Sequence, residues 1–228
     1  MAGALLLAGA SGLVGSQVLQ RALADGWRVI APCRRPLAVS HPRLRVLVHP
    51  LEHAHQDQQL AQRLAQAIDA PLAGYLCCLG TTIKTAGTRE AFRAVDHDLV
   101  LALARIARAE GARHATMVSS VGADARSGNF YLAVKGGAED ALAKIGFERV
   151  DLLRPGLLIG ARSEQRAGEA LAQRWMPKVD WLLAGPLARY RSVRAETVAA
   201  AAVALQGEAE PGRFVHEYAD LMRLAGSH

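Results

Sequence analysis

Tyr131 and Lys135 stand four residues apart where a helix-periodic segment begins, so both side chains leave one face of that helix. An ammonium beside a phenol stabilises the phenolate and draws the tyrosine toward the working range of a general acid or base. Just upstream, Met117-Val118-Ser119-Ser120 ends an apolar run, and one of its two hydroxyls is suited to hydrogen-bond a carbonyl opposite the tyrosine. Only Lys84, Lys135, Lys144 and Lys178 are lysines, so one at this spot is suggestive. Taken singly, a Tyr-x-x-x-Lys match also marks ordinary surface pairs, and serines at a strand end also cap turns.

A glycine pattern near the N-terminus gives that pair a context. Leu5-Leu6-Leu7-Ala8 runs into Gly9-Ala10-Ser11-Gly12-Leu13-Val14-Gly15 and then straight into a helix-forming segment. Gly9 permits a sharp turn, Gly12 lets the backbone approach phosphates without a Cβ in the way, and Gly15 lets the helix pack closely on the strand. Ser11, Leu13 and Val14 complete the loop, and the free N–H groups of the helix start face the pyrophosphate of a dinucleotide. Near the end of the second strand, where an acidic residue would hold adenosine ribose hydroxyls, the chain has Cys33, Arg34 and Arg35; no Asp or Glu falls between Asp25 and Glu52. A guanidinium holds a ribose 2′-phosphate with paired charge-assisted hydrogen bonds, whereas a carboxylate repels it. NADP(H) is the expected cofactor.

The elements that must position these residues alternate regularly. Strands are expected at Ala4–Ala8, Arg28–Ala31, Leu44–Val48, Gly74–Leu79, His114–Ser119 and Arg149–Leu153, with a short one at Arg213–Tyr218. Helices are expected at Leu13–Ala24, Asp57–Ile68, Arg89–Ala109 and Tyr131–Ile145. This order predicts an α/β fold: a doubly wound parallel sheet of Rossmann type with a short C-terminal helical extension. The 228 residues read as a single domain in which 157–228 add a small substrate-side extension.

Composition excludes several classes. Hydrophobic content of 51% with 21% charged residues rules out disorder, and no apolar run reaches the roughly 18 residues of a membrane span. The first apolar stretch lacks the basic opening of a signal peptide, and Cys33, Cys77 and Cys78 make a poor disulfide framework, so a cytoplasmic protein is expected. A net charge of +6 is spread without a basic run or interleaved aromatics, which argues against nucleic acid as a partner. His49, His53 and His55 lack neighbouring ligand groups and are expected to lie in a solvated loop, with no metal site.

Together, the glycine pattern, Ser119-Ser120, the Tyr131/Lys135 pair and Arg154-Pro155-Gly156 resemble the short-chain dehydrogenase/reductase superfamily. Cys77-Cys78-Leu79-Gly80-Thr81-Thr82, Val118–Asp124, Tyr131–Gly136 and Arg154-Pro155-Gly156 are similar to its atypical branch, that of the Tat-interacting-protein oxidoreductases and their bacterial relatives; the likeness covers roughly residues 3–170. It implies Tyr131 as proton donor or acceptor and Lys135 as holder of the nicotinamide ribose. Ser120, or failing it Ser119, would orient the carbonyl. Leu79, Gly80 and Thr81 would line that ribose, with Pro155 beside the cofactor. Arg166, in Gln165–Glu169, is the candidate substrate or lid residue. Asp96 stands where many relatives carry an asparagine that relays protons, and an ionised aspartate cannot donate from its side chain. Gly136 and Gly137 weaken their helix by roughly 1 kcal/mol each relative to alanine, which close packing against cofactor or sheet would explain.

These readings converge on an NADP(H)-dependent oxidoreductase that transfers hydride to or from a small carbonyl or alcohol. The alternatives are an NADP(H)-binding regulatory or sensor protein with little catalysis, and a nucleotide-sugar epimerase, which the short C-terminal part disfavours. A monomer or homodimer is expected, with the 89–109 and 131–145 helices as a possible dimer face.

Overall fold

The computed structural model describes residues 3–51, 58–69, 71–160 and 183–226. Seven parallel strands form the main sheet: β1 (Ala4–Ala8), β2 (Arg28–Cys33), β3 (Leu44–Val48), β4 (Leu72–Cys77), β5 (His114–Val118), β6 (Arg149–Leu153) and β9 (Gly212–His216). They lie in the order β3-β2-β1-β4-β5-β6-β9, the expected doubly wound sheet. β7 (Leu158–Ile159) and β8 (Val193–Arg194) form a separate two-residue parallel pair that hydrophobic periodicity is too short to reveal.

A central parallel strand is covered on both faces, so it can be apolar throughout. β1 is such a strand: every residue of Ala4-Leu5-Leu6-Leu7-Ala8 is buried. Its alternation divides the core. Leu5 and Leu7 face α1 (Leu13–Ala24), α7 (Ala195–Ala204) and α8 (Tyr218–Gly226), packing with Val14, Val18, Val198 and Leu221. Leu6 faces the other layer, where Leu60 of α2 (Gln58–Ala67), Leu103 of α5 (Val100–Ala109) and Leu142 of α6 (Phe130–Leu142) close the core. Each fully buried leucine contributes about 1.5–3 kcal/mol.

Seven expected elements differ in their bounds: β2 runs on to Cys33, α2, β5 and β9 move by a residue or two at their ends, and three others differ for reasons visible in the local contacts. The fourth strand begins at Leu72 and stops at Cys77, because the chain then turns toward the glycine loop, where the Cys78 N–H donates to Ala8 O at 2.8 Å. The expected helix 89–109 is continuous in direction but not in winding. α4 (Arg89–Arg93), capped by Thr88, passes into a π-helical stretch at Ala94–Leu99 before α5; a one-turn helix, α3 (Ile83–Ala86), precedes it. Such π segments are frequent at functional sites because they re-aim side chains. α6 starts one residue early, at Phe130, because the Asn129 side chain accepts from Leu132 N, and it ends at Leu142.

Candidate active site

The glycine loop joins β1 to α1 at the carboxyl edge of the sheet. Gly9 has φ +82°, and a Cβ there would come within 2.6 Å of Cys78 O. A Cβ on Gly15 would sit 2.0 Å from Gly9 O, so the helix can approach its own loop only with glycine at this position. At exposed Gly12 a Cβ would meet only Gly9 O at 3.3 Å and Cys78 O at 3.9 Å, leaving its outer side open. No side chain caps α1 at Gly12, and its first turn holds no acidic residue, so its leading N–H groups face outward with the positive end of the helix dipole. That is a cradle for an anion, and the residues present fit the pyrophosphate of a dinucleotide.

At the end of β2, Arg34 and Arg35 are exposed and make no hydrogen bond or ion pair among the described residues. Beside them Cys33 is buried, and burial pushes its thiol up to about 11, so the thiol adds no negative charge next to the guanidinia.

Across the sheet edge, Tyr131 occupies the first turn of α6, half-buried, with Phe92 of α4 tilted against its ring at 5.6 Å between centroids. Lys135, one turn on, is 3% exposed, and its Nζ lies 2.8 Å from Asp96 Oδ1. The approach is a charge contact and not an aligned hydrogen bond, which leaves the buried Oδ1 without a hydrogen-bond donor. The second oxygen of Asp96 accepts from Thr81 N at 2.9 Å. Burial pushes the lysine down, but the Asp96 carboxylate, with Tyr131 and Cys77 behind it, outweighs burial and holds the ammonium above its usual range. Gly80 lies over this pair: a Cβ on it would be 3.7 Å from Lys135 Nζ and 3.8 Å from Asp96 Oδ1.

The two serines separate. Ser119 is buried and gives its hydroxyl to Glu139 Oε1; Glu139 also binds the Arg154 guanidinium through both oxygens. Ser120 is half-buried, with only a weak 3.4 Å contact to Val121 O, so its hydroxyl is the one free for a ligand. Buried Pro155 accepts from Val121 N at 3.0 Å and ties the strand-end segments together. Leu79, half-buried, and Gly80, exposed, lie between β4 and Thr81.

Packing explains the glycines after Lys135 differently from expectation. A Cβ on Gly136 would lie 2.3 Å from the backbone of Asp124 and Ala125, so the helix presses on the loop after β5 rather than on cofactor or sheet; a Cβ on Gly137 would face His97 at 3.8 Å. The role of Asp96 as the lysine's partner was not legible either, since 39 residues separate them and only the π segment turns the carboxylate inward. Arg166 and the histidines at 53 and 55 lie outside the described residues. Among the described residues no cluster of His, Cys, Asp or Glu could hold a metal ion, and no helix is long and apolar enough to cross a membrane.

A glycine cradle at a helix start, beside a Tyr/Lys pair on the carboxyl edge of a parallel sheet, defines a Rossmann-type dinucleotide-binding protein. The family model described as "NAD dependent epimerase/dehydratase family" matches residues 5–130. The chain belongs to that NAD(P)-dependent, oxidoreductase-like family. It is 44% identical over 99 residues to "Protein HTATIP2" of Rattus norvegicus, a match taking in 43% of this chain and 40% of that protein's length. To "Protein fmp52, mitochondrial" it is 35% identical over 173 residues in Emericella nidulans (73% and 72% of the two chains) and 31% over 234 residues in Aspergillus clavatus (97% and 98%). The resemblance to the Tat-interacting-protein branch is borne out. Solved structures share the fold: MoeE5 in complex with UDP-glucose and NAD (TM-score 0.67, 15% identity, 93% of this chain and 74% of that one), and UDP-glucose 4-epimerase from Bifidobacterium longum in complex with NAD+ and UDP (TM-score 0.68, 14% identity, 95% and 77%).

Proposed function

We propose that the protein is an NADP(H)-dependent oxidoreductase acting on a small carbonyl or alcohol. The observation that carries the reading is the joint placement, on one sheet edge, of the uncapped glycine loop, two exposed arginines without a partner among the described residues, and the Tyr131/Lys135 pair. Ser11, Gly12, Leu13, Val14 and Gly15 would hold the pyrophosphate, Arg34 and Arg35 the 2′-phosphate, and Leu79, Gly80, Thr81, Lys135 and Pro155 the nicotinamide half.

When bound, the dinucleotide supplies or accepts the hydride. Tyr131 gives its hydroxyl proton to the substrate oxygen as the carbonyl π bond breaks and an O–H bond forms, and solvent then returns a proton to the phenolate. Ser120, rather than the engaged Ser119, orients the carbonyl by donating to its oxygen. The partner is a small molecule, with no nucleic acid or membrane, and the assembly a monomer or homodimer. Free thiols at Cys33, Cys77 and Cys78 support a reducing compartment, cytoplasmic in this reading; the fungal relatives carry "mitochondrial" in their names, and fractionation of the host cell decides between the two.

Calorimetric titration with NADPH, NADP, NADH and NAD tests the cofactor. Preference for the phosphorylated pair is expected, and it narrows at least tenfold in an Arg34→Ala/Arg35→Ala variant; equal affinity for all four overturns the assignment. Tyr131→Phe is expected to abolish reduction of any accepted carbonyl with NADPH affinity within about twofold of the parent. A panel including UDP-sugars covers the epimerase alternative.

A further inference from the structure

The carboxylate of Asp96 is fully buried, yet it is held by a single backbone hydrogen bond, from Thr81 N, and by the charge of Lys135. A buried carboxylate with so few donors is costly unless a cation stands beside it. Here that cation is the lysine one turn from the phenol. The electrostatic consequence is direct. An isolated ammonium near Tyr131 would favour the phenolate, whereas an ammonium already paired with a carboxylate contributes little net field, and the carboxylate itself opposes a second negative charge nearby.

The groups facing this cluster come from each element packed on it. Asp96 comes from the π segment, Tyr131 and Lys135 from α6, and Cys77 from the end of β4, its thiol raised by burial and so uncharged. Phe92 of α4 adds an apolar ring against Tyr131. His97 and Asp98, paired with each other at 2.7 Å, also belong to the π segment, where the His97 ring lies against Gly137. Among the described residues, the cation in direct contact with the Asp96 carboxylate is Lys135.

We propose that Asp96 is a positioning residue that sets the protonation of the site: by taking up the Lys135 charge it keeps the Tyr131 hydroxyl protonated to higher pH than an unpaired lysine would allow, and so sets the pH range in which that hydroxyl can give its proton to a carbonyl oxygen. The same carboxylate, through Thr81 N, fixes the Gly80–Thr81 loop over the lysine. The inference rests on Tyr131 as the proton-bearing group of the proposed oxidoreductase.

The test reads the phenol itself. Near-ultraviolet phenolate absorbance is titrated from about pH 7 to 11 on the whole chain, and the Tyr131→Phe titration is subtracted to isolate Tyr131. Asp96→Asn preserves shape and an acceptor for Thr81 N–H while removing the negative charge. It is expected to raise the Tyr131 phenolate fraction about tenfold at a fixed pH, a shift of about one pH unit. Lys135→Met removes the charge from the other side and is expected to move the titration the opposite way. An unchanged titration in Asp96→Asn, or a shift toward higher pH, overturns the inference.

Turnover separates this inference from the reading beneath it. In Asp96→Asn the pH limb of carbonyl reduction governed by Tyr131 should move down by about one pH unit with the phenol. If the phenol moves as expected but no variant turns over any carbonyl or alcohol, the oxidoreductase reading fails and the charge compensation stands. If the phenol does not move, the role given to Asp96 fails whatever the turnover.

Discussion

Among the described residues three carboxylates are completely shielded from solvent, Asp96, Glu139 and Asp151, and the first and last of them are treated in opposite ways. Asp151, in the middle of β6, is surrounded by donors: His114 Nε2 from β5, His216 Nε2 from β9 at 2.7 Å, and the Arg149 guanidinium at 2.7 and 3.0 Å. The network extends through Thr116 to Gln206, and the Phe214 ring lies 4.1 Å beneath the Arg149 guanidinium. Burial pushes the Asp151 carboxyl up, but hydrogen bonds from His114, His216 and Arg149 outweigh it and hold the group well below the usual carboxylate range. An ionised carboxylate only accepts, so both imidazoles present N–H to it. Asp96 has one aligned donor and one charge contact. A saturated network fastens three strands together; an under-saturated one leaves a charge balance that a neighbouring phenol can feel. The difference lies in the number of donors: Asp151 is met by three side chains from three strands, Asp96 by one backbone N–H and one ammonium.

The largest expected effect sharpens that contrast. Asp151→Asn leaves Arg149 uncompensated between β5 and β9, and the folded state should lose about 3–5 kcal/mol in denaturant titration, with NADPH affinity of the folded fraction unchanged. Asp96→Asn likewise leaves a buried cation, Lys135, without its carboxylate, but it forfeits one charge contact and keeps an acceptor for Thr81 N–H, so its cost should fall at the lower end of that range, about 3 kcal/mol. Equal losses from the two variants would erase the distinction.

Acid separates the two sites in another way. The Asp151 carboxyl is lowered in the folded state, so the unfolded chain binds the proton more tightly, and the stability this group contributes is complete above about pH 5 and drains away as pH falls below about 4. Thermal melts from about pH 6 down to 3 should therefore fall steeply in the parent and more shallowly in Asp151→Asn. Identical slopes would remove Asp151 from the acid response. The smallest effect concerns Ser119, whose hydroxyl serves Glu139: Ser119→Ala should cost about 1 kcal/mol of stability with carbonyl reduction within a few-fold of the parent, whereas Ser120→Ala lowers reduction at least tenfold without a measurable change in stability. The reverse pattern would return the catalytic role to Ser119.

Much of this was written in local sequence. β1 and α1 fall at the residues expected because a strand covered on both faces can be apolar throughout and an amphipathic helix repeats every three to four residues; the short apolar runs of β3 and β6 mark those strands at the expected bounds despite the exposed positions of β3 and the buried Arg149 and Asp151 of β6. The glycine loop is legible because Gly15 answers to contacts within a few residues of itself, where no other residue fits the 2.0 Å approach to Gly9 O, and because Gly9 turns the chain with φ +82°; that Gly9 also lies against Cys78 was decided by the fold. Tyr131 and Lys135 are joined by helical spacing alone.

What local sequence could not fix are pairings between distant segments. Only the folded chain decided that Ser119 would be spent on Glu139, that Gly136 would press on the loop after β5, and that a π-helical stretch would carry Asp96 to Lys135. Periodicity encodes which face of an element is buried; it carries no information about which buried charge meets which. Those meetings are settled by sheet order and side-chain reach across elements, and in this protein they decide the electrostatics of the site.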